Sequence, residues 1–199
     1  MVEHMNITEK KALAKQAEQL CTITHFSKSE TEKLLHLFYS ITQNRIDRPT
    51  FKEILHNDFD MTTLFFMERV FKAFDLDNDG FIDEIEWVKG LSIFLRGTID
   101  EKIKYCFYVY DLNNDFYISR EEMFHMLKTS MIKQPTEEDP EEGIKDLIEL
   151  ILKKMDLDHD GKLSPGDFEK SVQAEPLLLE AFGPCLPSWC SVYWFSGKL

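Results

Sequence analysis

Apolar side chains recur along this chain at the spacing of amphipathic helices, in pairs that precede short polar stretches. Each pair is three residues apart and is followed by a loop of twelve residues and a second apolar stripe. The pairs are Leu35 and Phe38, Phe71 and Phe74, Phe107 and Tyr110, and Leu152 and Met155. The loops begin at residues 39, 75, 111 and 156, so the steps are 36, 36 and 45 residues. This internal repeat predicts four helix–loop–helix units.

The second loop, residues 75–86, offers an oxygen ligand at every position that a calcium loop needs. Gly80 stands at the sharp turn, and Glu86 is long enough to bind through both carboxylate oxygens. The predicted ligands are Asp75, Asp77, Asp79, the carbonyl of Phe81, Asp83 and Glu86. An acidic solvated turn is the alternative, and the match at all six positions argues against it. With its helical flanks, the loop resembles an EF-hand.

The third loop, residues 111–122, keeps this pattern with one departure. Its predicted ligands are Asp111, Asn113, Asp115, the carbonyl of Tyr117, Ser119 through water, and Glu122. Phe116 stands where glycine is expected, and a bulky residue at positive φ costs about 1 kcal/mol or more. We therefore expect a weaker site, or one that metal must order.

The fourth loop, residues 156–167, ends in a shorter acid. Its predicted ligands are Asp156, Asp158, Asp160, the carbonyl of Lys162, Ser164 and Asp167. Asp167 reaches a cation with one oxygen more easily than with two, which predicts a smaller cage that binds Mg²⁺ competitively or Ca²⁺ weakly. His159 falls at a solvent-facing position of this loop and the other histidines lack ligand spacing, so zinc is not expected.

The first loop, residues 39–50, cannot hold calcium. Its metal positions are Tyr39, Ile41, Gln43, Arg45, Asp47 and Thr50, which include a single acid and an arginine. Ile46 falls at the position where two such loops pair through a short strand, as Ile82 does in the second loop. We expect the first unit to be a structural partner of the second.

The predicted fold is all-α, with four EF-hand units in two lobes. Residues 1–97 form the predicted N-terminal lobe, with an extra helix over residues 8–21, and residues 98–199 form the C-terminal lobe. An acidic stretch, residues 135–143, is expected to be a solvated linker. The short apolar helix predicted from Pro176 to Phe182 either blocks a groove of the C-terminal lobe or completes its core. The aromatic residues after Pro187 have no assigned role.

The helix that leaves the second loop, from Trp87 to Arg96, is more apolar than one core face requires. Two interpretations follow from this excess. Either the helix lines a groove for an amphipathic partner helix, or it is tightly buried against the neighbouring unit.

The net charge of −13 is concentrated in the metal loops, since the second, third and fourth loops carry −6, −3 and −3. This balance argues against nucleic acid as a direct ligand. Residue 2 is Val rather than Gly, there is no secretory signal and no long apolar run, so no membrane anchor is expected. The four cysteines form no CxxC pair, which favours an intracellular setting, and we expect a monomer.

No nucleophile–base motif, phosphate-binding glycine loop or zinc spacing is present, so the sequence does not predict an enzyme. A calcium buffer, whose loops bind metal without opening a groove, remains an alternative to a sensor.

Four units, an inactive first loop and an extra N-terminal helix resemble the neuronal calcium sensor and calcineurin B group. Residues 91–97, 121–127, 134–140 and 177–187 are similar to the calcium sensors of axonemal outer-arm dynein within that group. The resemblance implies Ca²⁺ as cofactor, a dynein heavy chain and the docking machinery on doublet microtubules as partners, and control of sliding in cilia and flagella. Within the same group, a regulatory subunit of a phosphatase or other enzyme is the alternative.

Overall fold

The computed structural model describes residues 7–42, 44–131 and 140–199. Over these residues it is helical, with ten α-helices and one 3₁₀ helix, which confirms the predicted all-α fold. The helices are α1 Ile7–Leu20, α2 Lys28–Ile41, α3 Arg48–Phe59, α4 Leu64–Phe74, α5 Glu84–Arg96, α6 Ile99–Tyr110, α7 Arg120–Ser130, α8 Pro140–Met155, α9 Pro165–Ala174, the 3₁₀ helix Pro176–Glu180 and α10 Trp189–Ser196.

Two antiparallel β-bridges join the loops in pairs. Ile46 and Ile82 exchange two backbone hydrogen bonds of 2.9 Å, and Ile118 and Leu163 exchange bonds of 2.9 and 3.0 Å. The first loop is thereby fixed beside the second, as Ile46 and Ile82 predict, and the third is fixed beside the fourth.

The chain divides into two compact units. Residues 1–62, 70–98 and 187–199 form the first unit, and residues 63–69 and 99–186 form the second. This division departs from the predicted lobes in two places, since residues 63–69 group with the second unit and residues 187–199 with the first.

Arg69, which is 9% exposed, explains why residues 63–69 group with the second unit. Its guanidinium donates to the carbonyls that the C-terminal end of α6 leaves without helical partners. The acceptors are the carbonyl oxygens of Val109 at 2.8 Å, Tyr108 at 2.9 Å and Asp111 at 2.6 Å. Residues 63–69 are thus tied to the second unit.

The tail after Pro187 forms α10, which belongs to the first unit. Phe195 is fully buried and stacks on Phe59 of α3 at a centroid distance of 5.0 Å. The opposite side of α10 is exposed, with Trp189 at 80%, Tyr193 at 76% and Trp194 at 55%. One aromatic of the tail therefore packs into a core, and the other three face solvent.

The core of the first unit is aromatic. Phe51 contacts Phe74 at a centroid distance of 4.9 Å, and Phe59 contacts Phe94 at 5.1 Å. α1 packs on α2 and α5, and its Leu13, Ala17 and Leu20 are buried, in agreement with the helix predicted over residues 8–21.

In the second unit, the segment from Pro176 to Phe182 contributes Phe182 to the core, an arrangement that both interpretations of this segment allow. Its ring is fully buried and meets Tyr110 edge-on at 5.2 Å. The hydroxyl of Tyr110 donates to the carbonyl of Gly183 at 2.7 Å. The helix just before Phe182 is a 3₁₀ helix without buried residues, so the core takes the single aromatic ring rather than a helix face.

The last four residues of the predicted linker, 140–143, are helical, because α8 begins at Pro140. Proline suits a helix start, since its missing N–H is one that has no helical partner there. Residues 135–139 of the predicted linker lie outside the described residues. Among the described helices, none has the length and apolar character needed to cross a bilayer.

Candidate metal centres

The second loop begins where α4 ends, and its first carboxylate organises the turn. Asp75 is 3% exposed, and its two oxygens accept hydrogen bonds from the amides of Asp79 and Gly80, both at 3.0 Å. Gly80 has φ = +85°, which an L side chain rarely adopts. The loop therefore closes around Asp75 in the way its sequence predicts.

Glu86, in the first turn of α5, joins the two ends of this loop. Its Oε1 accepts hydrogen bonds from the amides of Leu76 at 2.7 Å and Asp77 at 3.2 Å, and its Oε2 accepts one from Asp83 at 3.0 Å. Burial raises the pKa of Glu86, because the charged form loses solvation. The position of the loop's first residues is thus connected directly to the start of α5.

Three carboxylates of the second loop converge. Asp75, Asp77 and Glu86 each place an oxygen so that all three lie within 4.8 Å of one another. Converging, partly buried oxygens are the donor set that Ca²⁺ prefers, so these residues fit the cation. Asp79 is outside this group, and its Oδ2 pairs with the guanidinium of Arg45 from the first loop.

The third loop has the same internal contacts as the second. Asp111 is 4% exposed, and its Oδ2 accepts a hydrogen bond from the amide of Phe116 at 2.9 Å. Glu122 accepts hydrogen bonds at both ends of the loop, from the amides of Leu112 at 2.9 Å, Asn113 at 3.2 Å and Ser119 at 2.8 Å. The third loop is therefore folded like the second before any metal is considered.

Phe116 does adopt the positive φ that its position requires, at +66°. Its side chain is 71% exposed, so the ring neither blocks the loop nor gains much from packing. The backbone of Phe116 thus serves as glycine does, with the strain that a side chain carries in this region.

The fourth loop brings together Asp156, Asp158 and Asp160, whose oxygens lie within 4.8 Å of one another. Burial acts to raise the pKa of Asp156, but amide donors from Gly161 at 2.9 Å and His159 at 2.7 Å outweigh it and lower the pKa. A carboxylate kept ionised by backbone amides is suited to a cation.

Asp167 differs from Glu86 and Glu122 in its reach. Within the described fourth loop, its Oδ2 accepts hydrogen bonds from Ser164, from the amide at 3.1 Å and from the hydroxyl at 2.6 Å. These are contacts at the exit side of the loop, whereas the two glutamates also hold the entry side. The shorter side chain spans only one end of the loop.

The predicted carbonyl ligands at position 7 lie next to the β-bridges. Each immediately precedes a bridging residue, so its backbone is fixed by the pairing of two loops. The three are Phe81 before Ile82, Tyr117 before Ile118 and Lys162 before Leu163.

The first loop has no cage for calcium in its described part. Its single acid, Asp47, caps α3 by accepting a hydrogen bond from the amide of Thr50 at 3.0 Å, and hydrogen bonding from Thr50 lowers the pKa of Asp47. Gln43, also at a predicted metal position, lies outside the described residues.

Sequence reasoning missed two features of these loops. Position 4 of each metal loop has positive φ, at Asn78, Asn114 and His159; asparagine at these spacings is a signal for it. The second feature is the pairing of Arg45 with Asp79. Its signal in the sequence is that Arg45 directly precedes the bridging residue Ile46.

Comparison with known families agrees with this geometry. The model of an EF-hand domain pair matches residues 100–173, and a model of the EF hand matches residues 67–92. Together with the converging carboxylates, these matches define an EF-hand calcium-binding protein.

Curated relatives give the family. The chain is 63% identical over 187 residues to calaxin of Xenopus laevis, covering 89% of this chain and 90% of that protein. It is 56% identical over 195 residues to calaxin of Danio rerio, with 94% and 93% covered, and 58% identical over 171 residues to calaxin of Homo sapiens, with 82% and 81% covered. The chain belongs to the calaxin family of EF-hand calcium sensors.

Proposed function

We propose that this protein senses Ca²⁺ through its second, third and fourth loops and regulates outer-arm dynein in cilia and flagella. The observation that carries the sensor mechanism is the double attachment of Glu86, which binds amides at the loop entry and stands in the first turn of α5. Bound Ca²⁺ would supply the charge that holds the loop oxygens together. Because Glu86 lies in the first turn of α5, a shift of its backbone towards the cation would move the start of that helix.

The apolar face of α5 is what such a movement exposes. Trp87, Leu91 and Phe94 are fully buried within the first unit. Of the two arrangements that the sequence allows for α5, this one corresponds to tight burial. We propose that calcium converts it into the other, with an apolar groove for an amphipathic partner helix.

An apolar dye tests this step. We expect dye fluorescence to rise when Ca²⁺ is added to the protein in Mg²⁺, because a sensor bares apolar surface. A Glu86→Gln variant, which removes one charged ligand, is expected to lose part of this response. Metal binding without a dye signal would show a calcium buffer instead.

The dynein heavy chain is the partner we propose, in the cytoplasm and on the axoneme beside the docking machinery of doublet microtubules. The proposal rests on the resemblance to sensors of outer-arm dynein and on membership of the calaxin family. The test is a pull-down from detergent-extracted axonemes, in Ca²⁺ and in Mg²⁺ with a calcium chelator. Heavy chain retained more in Ca²⁺ supports a switch on the motor, and retention in both supports a resident sensor. Recovery of a phosphatase or kinase without dynein would refute the proposal in favour of an enzyme's regulatory subunit.

We further propose that Mg²⁺ competes with Ca²⁺, above all at the fourth loop. The limited reach of Asp167 supports this, since Mg²⁺ requires fewer and closer oxygen ligands than Ca²⁺.

A further inference from the structure

The inactive first loop places a positively charged side chain, that of Arg45, at the second loop. Arg45 directly precedes Ile46, which exchanges two 2.9 Å backbone hydrogen bonds with Ile82. The bridge fixes the backbone of Arg45 beside the second loop, and its guanidinium pairs with Oδ2 of Asp79. Asp79 is the predicted ligand at position 5 of that loop.

The ion pair and one backbone hydrogen bond together engage both oxygens of Asp79. While Oδ2 pairs with Arg45, Oδ1 accepts a hydrogen bond from the amide of Phe81 at 2.9 Å. The carboxylates that converge in the second loop are those of Asp75, Asp77 and Glu86, without Asp79.

The fourth loop offers an internal comparison. Its position-5 residue, Asp160, has the matching hydrogen bond, from the amide of Lys162 at 2.9 Å, yet it does converge with Asp156 and Asp158. Two cations lie near that loop, and neither is seen paired with Asp160. The ammonium of Lys162 lies over the ring of Tyr117, 4.8 Å from its centroid, and the guanidinium of Arg120, close to Gly161, pairs with Glu149. The two position-5 acids thus differ in whether a guanidinium holds them.

We propose that Arg45 is an internal counter-ion that competes with the divalent cation for Asp79, and so sets the affinity of the second loop. A cation that binds the second loop through Asp79 must displace the guanidinium and then bear its repulsion. Release of Arg45 also frees a contact of the first loop, so the inactive loop responds to occupation of its neighbour. This inference rests on the proposed calcium binding by the second loop.

The amides of Gly80 and Gly161 allow each loop to be followed separately. They occupy the same position in their loops and donate to Asp75 at 3.0 Å and to Asp156 at 2.9 Å. We would titrate the full chain with CaCl₂ and record the ¹H–¹⁵N shifts of both amides.

In Arg45→Gln we expect the midpoint for Gly80 to fall about three- to tenfold, because an exposed ion pair and its residual repulsion are each modest. The midpoint for Gly161 should stay unchanged. Arg45→Lys, which keeps the charge, should remain within about twofold of the wild type. Lys28→Gln is the matched control, since it removes the same charge from a side chain that pairs with Glu18 at 3.2 Å.

An unchanged Gly80 midpoint in Arg45→Gln, or an equal shift in Lys28→Gln, would overturn the role of Arg45 while leaving calcium binding intact. A wild-type protein in which Gly80 does not respond to Ca²⁺ at all would overturn the proposed function of the second loop, and this inference with it.

Discussion

Replacement of Phe195 by alanine tests how firmly α10 is held on the first unit. The ring is fully buried and stacks on Phe59 at 5.0 Å. Burial of a phenylalanine contributes about 1.5–3 kcal/mol, and an aromatic pair adds about 0.5–1.5 kcal/mol. The side chain should therefore stabilise the docked helix by about 2–4 kcal/mol, in the range of other Phe→Ala losses in cores.

Because α10 packs on α3 as a short peripheral helix, the loss should appear as local detachment rather than global unfolding. Two to four kcal/mol correspond to about a 30- to 1,000-fold rise in the population of detached helix. We expect amide hydrogen exchange within α10 to accelerate by this factor in Phe195→Ala. The variant should also bind more apolar dye without Ca²⁺, because Phe59 becomes accessible.

Tyr193→Ala is the matched control, since it lies on the same helix but is 76% exposed. Its effect on α10 exchange should correspond to less than about 0.5 kcal/mol. Equal exchange rates in the two variants would refute the reasoning, because they would mean that burial of Phe195 does not hold the helix.

Three further predictions concern individual side chains. Asp167→Glu should raise the preference of the fourth loop for Ca²⁺ over Mg²⁺ in calorimetric competition, and an unchanged preference would rule out side-chain reach as the cause. Phe116→Gly should change the free energy of unfolding by less than about 1 kcal/mol, because relief of strain is offset by the greater backbone freedom of unfolded glycine; urea denaturation measures this. The hydrogen bond from Arg96 to Glu30, at 2.6 Å, together with hydrogen bonds from Ser27, lowers the pKa of Glu30 from 4.5 to about 2. This stabilisation is present above pH 4.5 and is lost as pH falls towards 2. The destabilisation caused by Arg96→Gln should therefore include a part of about 1 kcal/mol that disappears over this range, whereas a pH-independent difference would contradict the pKa.

The fold of the metal loops was predictable because their predicted ligands are local in sequence. Twelve residues contain the donors, the turn glycine and the helix cap, and each of these has a strong residue preference. The same locality explains why the apolar pairs ahead of each loop predicted the entering helices.

Placement of the tail could not be predicted in this way. α10 is aromatic on several sides, so its sequence does not indicate which face is buried or against which helix. Its position depends on a contact between Phe195 and Phe59, which are far apart in sequence. Arg69 is a similar case, because an isolated arginine in an apolar helix gives no sign that it will cap the carbonyls of α6.

The distribution of tryptophan has a spectroscopic consequence. All three tryptophans of the chain, Trp87, Trp189 and Trp194, belong to the first unit. Trp87 is fully buried beside Glu86, whereas the other two are largely exposed. Intrinsic emission therefore has a blue-shifted component from Trp87 and a red-shifted, acrylamide-quenchable component from α10. A calcium titration followed by the blue component reports the second loop, and the quenchable component reports the surroundings of α10.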